Sequence, residues 1–313
     1  MLNTYVDFHK INNEDGKLYL GNKLLHIFFL INLASKFNLK LKIPKNSNLD
    51  NLLFLIEKKN YFNYEEFKKI KLGFKEESIF SKYNSGSLLT FYLNNLIDFF
   101  KNKESIKSEL EDKSFKQFQN AKIFSDKLLL NDNFYVSGNF WHYDLMPSQN
   151  TILNYITLNK DIINKIKKKF PDIESKNTVV IHFRGRDFNN HLRTYFKNGI
   201  KLERKYFEKA INIFTQKFGK DYKFYLFSDE NDTLSEYLKD FNLEKIVVTN
   251  QSAVEDWISI MLCKNIIQSN SSFCWTASLF NKQISIQPKN GYGHNDNFGP
   301  IPYGFYMKNS IIL

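Results

Sequence analysis

The sequence predicts an α/β protein whose second half is a doubly wound parallel sheet covered by helices on both faces. Three observations carry that reading. Short apolar runs alternate with stretches of helical period from about Lys165 onward. A charged cluster, His182-Phe183-Arg184-Gly185-Arg186-Asp187, follows one of those runs directly. The first half opens on Gly21-Asn22, a strongly apolar helix and a short strand, which is an α/β element in its own right. Parallel strands need a crossover between them, and a helix is the usual one, so regular alternation of the two periods is the expected imprint of this fold.

The elements follow in order. Lys23 to Phe37 reads as a buried helix and Leu39 to Ile43 as a strand. Leu88 to Phe100 reads as a second buried helix, and the charged, amphipathic stretch Asn102 to Phe118 as a solvated one. Phe134 to Val136 is a strand ending before Gly138. In the second half Thr178 to Phe183 is a β-branched strand. Glu203 to Phe218 then sets Phe207, Ala210, Ile211, Phe214 and Phe218 at helical spacing, with Gly219 where a helix C-cap belongs. Strands at Lys223 to Phe227, Lys245 to Val248, Ile266 to Gln268 and Gln283 to Gln287 alternate with helices near Thr233 to Lys239, at Val254 to Cys263 and after Ser272. The boundary expected between the halves lies near residue 160, giving domains 1–160 and 161–313.

Composition narrows the function classes. A chain of 313 residues buries an ample core, and 42% hydrophobic with 25% charged residues is a globular balance. The 31 Phe and 17 Tyr accompany many Lys, Asn and Ile, which fits the drift of an AT-rich genome and carries little functional weight. A formal charge of +11 attracts anions: a polyanion, an acidic membrane face or a phosphorylated small molecule. The lysines are scattered rather than gathered in one arm, so no nucleic-acid partner is expected. Two cysteines make no disulfide framework and suit a reducing compartment. The longest apolar run, Leu24 to Ala34, is interrupted by His26 and Asn32 and is shorter than the about 20 residues a bilayer span needs. With no signal-peptide pattern at the N-terminus, the expected location is the cytoplasm. The basic surface also admits peripheral association with the inner membrane face.

Two segments offer chemistry. The His182 to Asp187 cluster lies at the carboxyl end of a strand, the edge where open α/β sheets bind ligands. Its guanidiniums and imidazole could hold a diphosphate, or an Arg–Asp pair there could simply stiffen a loop. Gln268-Ser269-Asn270-Ser271-Ser272 stands between a strand and a helix, and small hydroxyl residues with free amides make a phosphate cradle. Ordinary N-capping accounts for one of those serines equally well. Asp229 and Glu230 close one strand and could accept from ribose hydroxyls or a purine N–H. Asp256, in the first turn of a helix, could do the same or merely face the helix dipole. No two aspartates stand two positions apart, so the Asp-x-Asp metal motif is missing, as are a Walker loop, GxGxxG and GxSxG. A leaving diphosphate would then be neutralised by side-chain cations and helix ends.

These residues resemble the α-1,2-fucosyltransferases, glycosyltransferase family 11, and more distantly the α-1,6- and protein O-fucosyltransferases. The family's His-x-Arg-Arg-x-Asp motif is matched at His182, Arg184 and Asp187. The sequence departs at the second Arg, where Gly185 stands and Arg186 follows one place later. Gly21-Asn22-Lys23 is similar to the family's Gly-Asn-Gln, and Phe227-Ser228-Asp229-Glu230 to its Phe-Ser-Asp-Asp. The late block is matched by Asp256 through Met261, Cys263, Ser269 to Phe273 and Trp275, and a Gly-aromatic segment by Gly138-Asn139-Phe140-Trp141. Residues 45 to 125 carry no landmark.

The resemblance implies a GT-B architecture, two Rossmann-like domains facing a cleft, with the acceptor on the N-terminal side and GDP-fucose on the C-terminal side. It implies an inverting reaction that needs no metal or other cofactor and transfers fucose to a galactoside of a surface glycan. Arg184 would contact the departing diphosphate, joined by Asn22 from the first domain, by Ser271 and Ser272 and by the displaced Arg186. His182 and Asp256 would contact guanosine, and Asp187 is the candidate base. One rival keeps the fold and changes the nucleotide sugar, as in capsule or lipopolysaccharide synthesis. A remoter one is a non-enzymatic polyanion binder resting on charge alone.

Overall fold

The computed structural model describes residues 3–6, 20–36, 40–44, 61–62, 134–136, 143, 146–185, 202–218, 221–280, 282–289, 306–307 and 309–313. The expected helices at 88–100 and 102–118, the Gly138 to Trp141 segment, Gly219, Arg186 and Asp187 lie outside these residues. The chain divides into two compact units, Met1–Leu158 with Pro302–Phe305, and Asn159–Ile301 with Tyr306–Leu313.

The first unit holds a four-stranded sheet in the order β3-β2-β1-β4, from β1 (Asn3–Val6), β2 (Lys40–Pro44), β3 (Tyr61–Phe62) and β4 (Phe134–Val136). Every pairing in it is parallel. The apolar run expected as a helix is α1 (Leu20–Lys36). Leu24, Leu25, Ile27, Phe28, Ile31 and Ala34 are wholly buried on it, and it packs on β1, β2 and α2 (Gln149–Tyr155). Neither β1 nor α2 was legible in the sequence: β1 is only four residues long, and α2, begun by its Ser148 N-cap, has seven.

The second unit is the doubly wound domain. Its strands are β5 (Thr178–Phe183), β6 (Lys223–Ser228), β7 (Glu244–Val247), β8 (Asn265–Ile267), β9 (Ile284–Gln287) and β10 (Ser310–Ile312). Its helices are α3 (Lys160–Lys169), α4 (Arg204–Phe218), α5 (Asn231–Tyr237), α6 (Ala253–Leu262) and α7 (Ser272–Ala277). The expected elements appear within two residues of their predicted ends, while α3 and β10 are additional. The sheet order is β10-β9-β8-β5-β6-β7, wholly parallel. The chain winds outward from β5 through β6 to β7, then returns to the other side of β5 and winds outward through β8 and β9. The reversal lies between β5 and β8, and ligands of such sheets bind at the carboxyl ends of the strands flanking it.

Burial explains why these segments became these elements. All six positions of β5 are buried, as a central parallel strand covered on both faces demands. The α4 stripe of Phe207, Ala210, Ile211 and Phe214 is completely buried and joins Val179, Ile181, Phe183, Leu226 and Ile267 in one core. Tyr206 donates its hydroxyl to the Gln268 carbonyl at 2.6 Å, tying α4 to the end of β8. Among the described residues no helix is long and apolar enough to cross a membrane.

Candidate active site

Three chain ends meet at the carboxyl edge of the second sheet: the exit of β5 with His182, Arg184 and Gly185, the exit of β6 with Asp229 and Glu230, and the segment from β8 to α7. His182 pairs across the sheet with Phe227, and Phe183 with Ser228, so the two exits stand side by side.

Asp229 organises the first contact. One carboxylate oxygen accepts the Gly185 backbone N–H at 2.8 Å, and the other lies 3.3 Å from Arg184 Nε. Asp229 thus holds the β5 exit and the Arg184 guanidinium together. Gly185, the departure from the motif, has a steric reason. A Cβ there would lie 2.0 Å from Glu230 Oε2 and 2.8 Å from Glu230 Cβ. Glu230 is fixed in that space, since its carboxylate accepts from the Thr233 hydroxyl and its backbone N–H donates to Ser228 Oγ at 2.8 Å.

His182 makes the second contact. Its Nδ1 lies 2.7 Å from Ser269 Oγ, and its ring stacks on Phe273 with centroids 5.5 Å apart. Burial, reinforced by the Arg184 charge, pushes the imidazole down to about 3. The ring is therefore neutral at any working pH, an uncharged hydrogen-bonding group beside a cation.

Ser271 is the N-cap of α7, accepting from Phe273 N–H at 3.3 Å, so one serine does the ordinary capping work, and Ser272 is the first residue of the helix. Ser269, part of the expected cradle but given no role of its own there, is the serine that touches His182. Spacing alone could not separate it from its neighbours.

Among the described residues no hydrogen bond or ion pair links Asp256 to His182 or Arg184. It lies in the first turn of α6, where Ser252 and Glu255 form a capping box and Glu255 pairs with Lys165 at 2.5 Å. Glu255 is pulled down to about 2, chiefly by the Lys165 hydrogen bond. Asp256 moves the other way, to about 6, because burial and the neighbouring Glu255 charge outweigh Lys169. The helix dipole by itself would act in the lowering direction. A carboxyl raised in the fold adds stability below the unfolded value of 3.8 and loses it as pH rises through about 6. Asp256→Asn should therefore unfold at a higher midpoint than wild type at pH 7.5, with the advantage vanishing near pH 4. Parallel denaturation curves across that range measure the difference.

Asn22 is the third residue of α1, in the other unit. Among the described residues no group of three or more His, Cys, Asp or Glu side chains is disposed to hold a metal ion.

Two α/β units with parallel sheets, the second with its polar cluster at the topological reversal, define a glycosyltransferase fold of the GT-B type. The family model of glycosyl transferase family 11 matches residues 21–298, and the chain belongs to that family. Solved structures are similar at low identity. The NodZ alpha-1,6-fucosyltransferase soaked with GDP-fucose is 13% identical, with 90% of this chain and 93% of that chain covered and a TM-score of 0.50. Fucosyltransferase NodZ from Bradyrhizobium gives 13%, 88%, 92% and 0.47, and POFUT1 in complex with GDP-fucose gives 12%, 95%, 95% and 0.45. No curated protein matches the chain by sequence.

Proposed function

We propose that this family 11 glycosyltransferase moves fucose from GDP-fucose to the 2-hydroxyl of a galactoside in a surface glycan, with inversion and without a metal. The observation that carries the reading is the guanidinium of Arg184, aimed by Asp229 at the sheet edge beside a neutral His182. Family membership supplies the sugar, and the missing Asp-x-Asp supports the metal-free route. In this reading residues 161–313 bind the donor and 1–160 face the acceptor. Arg184 takes the diphosphate as it leaves, supported by Arg186, by Ser271 and Ser272 and by Asn22. His182 and Asp256 bind the guanosine, and Asp187 is the candidate base for the acceptor hydroxyl. The partners are a nucleotide sugar and a glycan, and the setting is the cytoplasm, with peripheral association at the inner membrane face.

The test is a panel of GDP-, UDP- and CMP-sugars offered with a β-galactoside in excess EDTA. GDP-fucose should be the donor consumed, and EDTA should leave the rate essentially intact. Turnover of a UDP- or CMP-sugar instead would overturn the donor assignment. A rate lost in EDTA and restored by Mn²⁺ would overturn the metal-free route.

A further inference from the structure

The bond between His182 and Ser269 has a direction, and the direction decides what the ring presents to a ligand. Ser269 is wholly buried and His182 is 7% exposed. Among the described residues the Ser269 hydroxyl has two neighbours, His182 Nδ1 at 2.7 Å and Cys274 Sγ at 3.7 Å. The Cys274 thiol already has better acceptors, the carbonyls of Ser269 and Ser271, each at 3.4 Å. That leaves the serine proton a choice between an imidazole nitrogen at short range and a distant, weakly accepting sulfur. A separation of 2.7 Å is also usual for a hydroxyl donor and short for an N–H donor, whose bonds centre near 2.9–3.0 Å. Stacking on Phe273 fixes the ring plane. No described residue hydrogen-bonds to Nε2.

We infer that the Ser269 hydroxyl donates to Nδ1 of His182 and so fixes the ring as its Nε2–H tautomer, making Ser269 a positioning residue that presents His182 as a hydrogen donor to an acceptor atom of the bound nucleotide. The partner of the ring is thereby specified by chemistry: a phosphate oxygen, or a carbonyl oxygen or ring nitrogen of the base, and not an N–H or hydroxyl proton. The identity of the nucleotide as a guanosine diphosphate rests on the proposed function; the tautomer does not.

Two measurements separate these layers. In protein carrying ¹⁵N-histidine, the six histidines are told apart by loss of one signal set in His182→Gln. The His182 Nδ1 should show the shift of an unprotonated, bond-accepting nitrogen and Nε2 that of an N–H, while Ser269→Ala should populate both tautomers. A protonated Nδ1 in the wild type would overturn the inference whatever the protein binds. For the nucleotide, Ser269→Ala should weaken GDP binding by about tenfold, the scale of one hydrogen bond to a ligand. His182→Gln keeps an amide donor without needing the serine, so Ser269→Ala placed on it should cost no more than about twofold. An equal loss in both backgrounds would make Ser269 a packing residue and overturn the inference. A loss shared by GDP and guanosine assigns the acceptor to the nucleoside, and a loss seen with GDP alone assigns it to the diphosphate. Failure of GDP to bind wild type at all would overturn the donor reading and leave the tautomer to the nitrogen shifts.

Discussion

Replacing Arg184 by Ala should lower kcat by about 10²-fold or more while the protein remains folded, the range seen when one preorganised electrostatic donor is removed. Negative charge on the leaving diphosphate grows toward the transition state, so a fixed cation lowers the barrier more than it strengthens ground-state binding. The fixing is visible: Asp229 lies 3.3 Å from Nε and also holds the Gly185 N–H at 2.8 Å, so the guanidinium need not reorganise when charge develops. Lysine at 184 should rescue little, because an ammonium keeps the charge and loses the fork that Asp229 grips from one side. Asp229→Asn should cost less than Arg184→Ala, since an amide oxygen can still accept the Gly185 N–H. Steady-state kinetics on the purified variants, with circular dichroism as the check on folding, decides the matter. A folded Arg184→Ala enzyme turning over at nearly the wild-type rate would put the active site elsewhere. Arg186→Ala asks a related question, and a comparably large loss would mean that the displaced arginine replaces the one missing at Gly185.

The second large effect concerns stability. Trp257→Ala should destabilise the second unit by about 3–5 kcal/mol, the usual cost of emptying a buried aromatic site. The indole is 2% exposed, packs edge-on against Phe280 at 5.6 Å and donates its N–H to Thr276 Oγ1 at 3.1 Å. That bond runs from α6 to α7, the helix that follows the polar segment, so the lost packing should loosen Ser269 and Phe273 against His182 as well. Trp257→Phe refills most of the space without the donor and should recover all but about 1 kcal/mol. Calorimetry of the three proteins gives the ordering, and GDP affinity should fall in step. An unchanged transition in Trp257→Ala would show that the two helices hold together without it.

Much of this was legible in the sequence, because the signals are local. The β-branched run Thr178 to Phe183 and the helical stripe from Phe207 to Phe214 announce their periods directly, and burial on both faces leaves each run one secondary structure to adopt. The same signals located the two polar segments, since a strand that ends must hand its next residues to a sheet edge. Short elements such as β1 and α2 escaped because a few residues are too little for a period. The raised carboxyl of Asp256 was not legible there, because a dipole is read from position in a helix, whereas desolvation depends on what covers that helix.

What the sequence by itself determined was which residues end each strand of the second unit and the chemistry they carry: cations after β5, carboxylates after β6, small hydroxyl residues after β8. Only the tertiary structure decided which of those ends are neighbours. Strand order is not written in any period, and it is the return of the chain across β5 that sets β8 beside it. That return brings His182 onto Ser269 across 87 positions of sequence, and the pairing of β5 with β6 brings Asp229 onto Gly185 across 44. The roles of Asp229 and Ser269 therefore followed from adjacency, because hydrogen bonds of 2.7 to 2.8 Å depend on distances that sequence spacing does not encode.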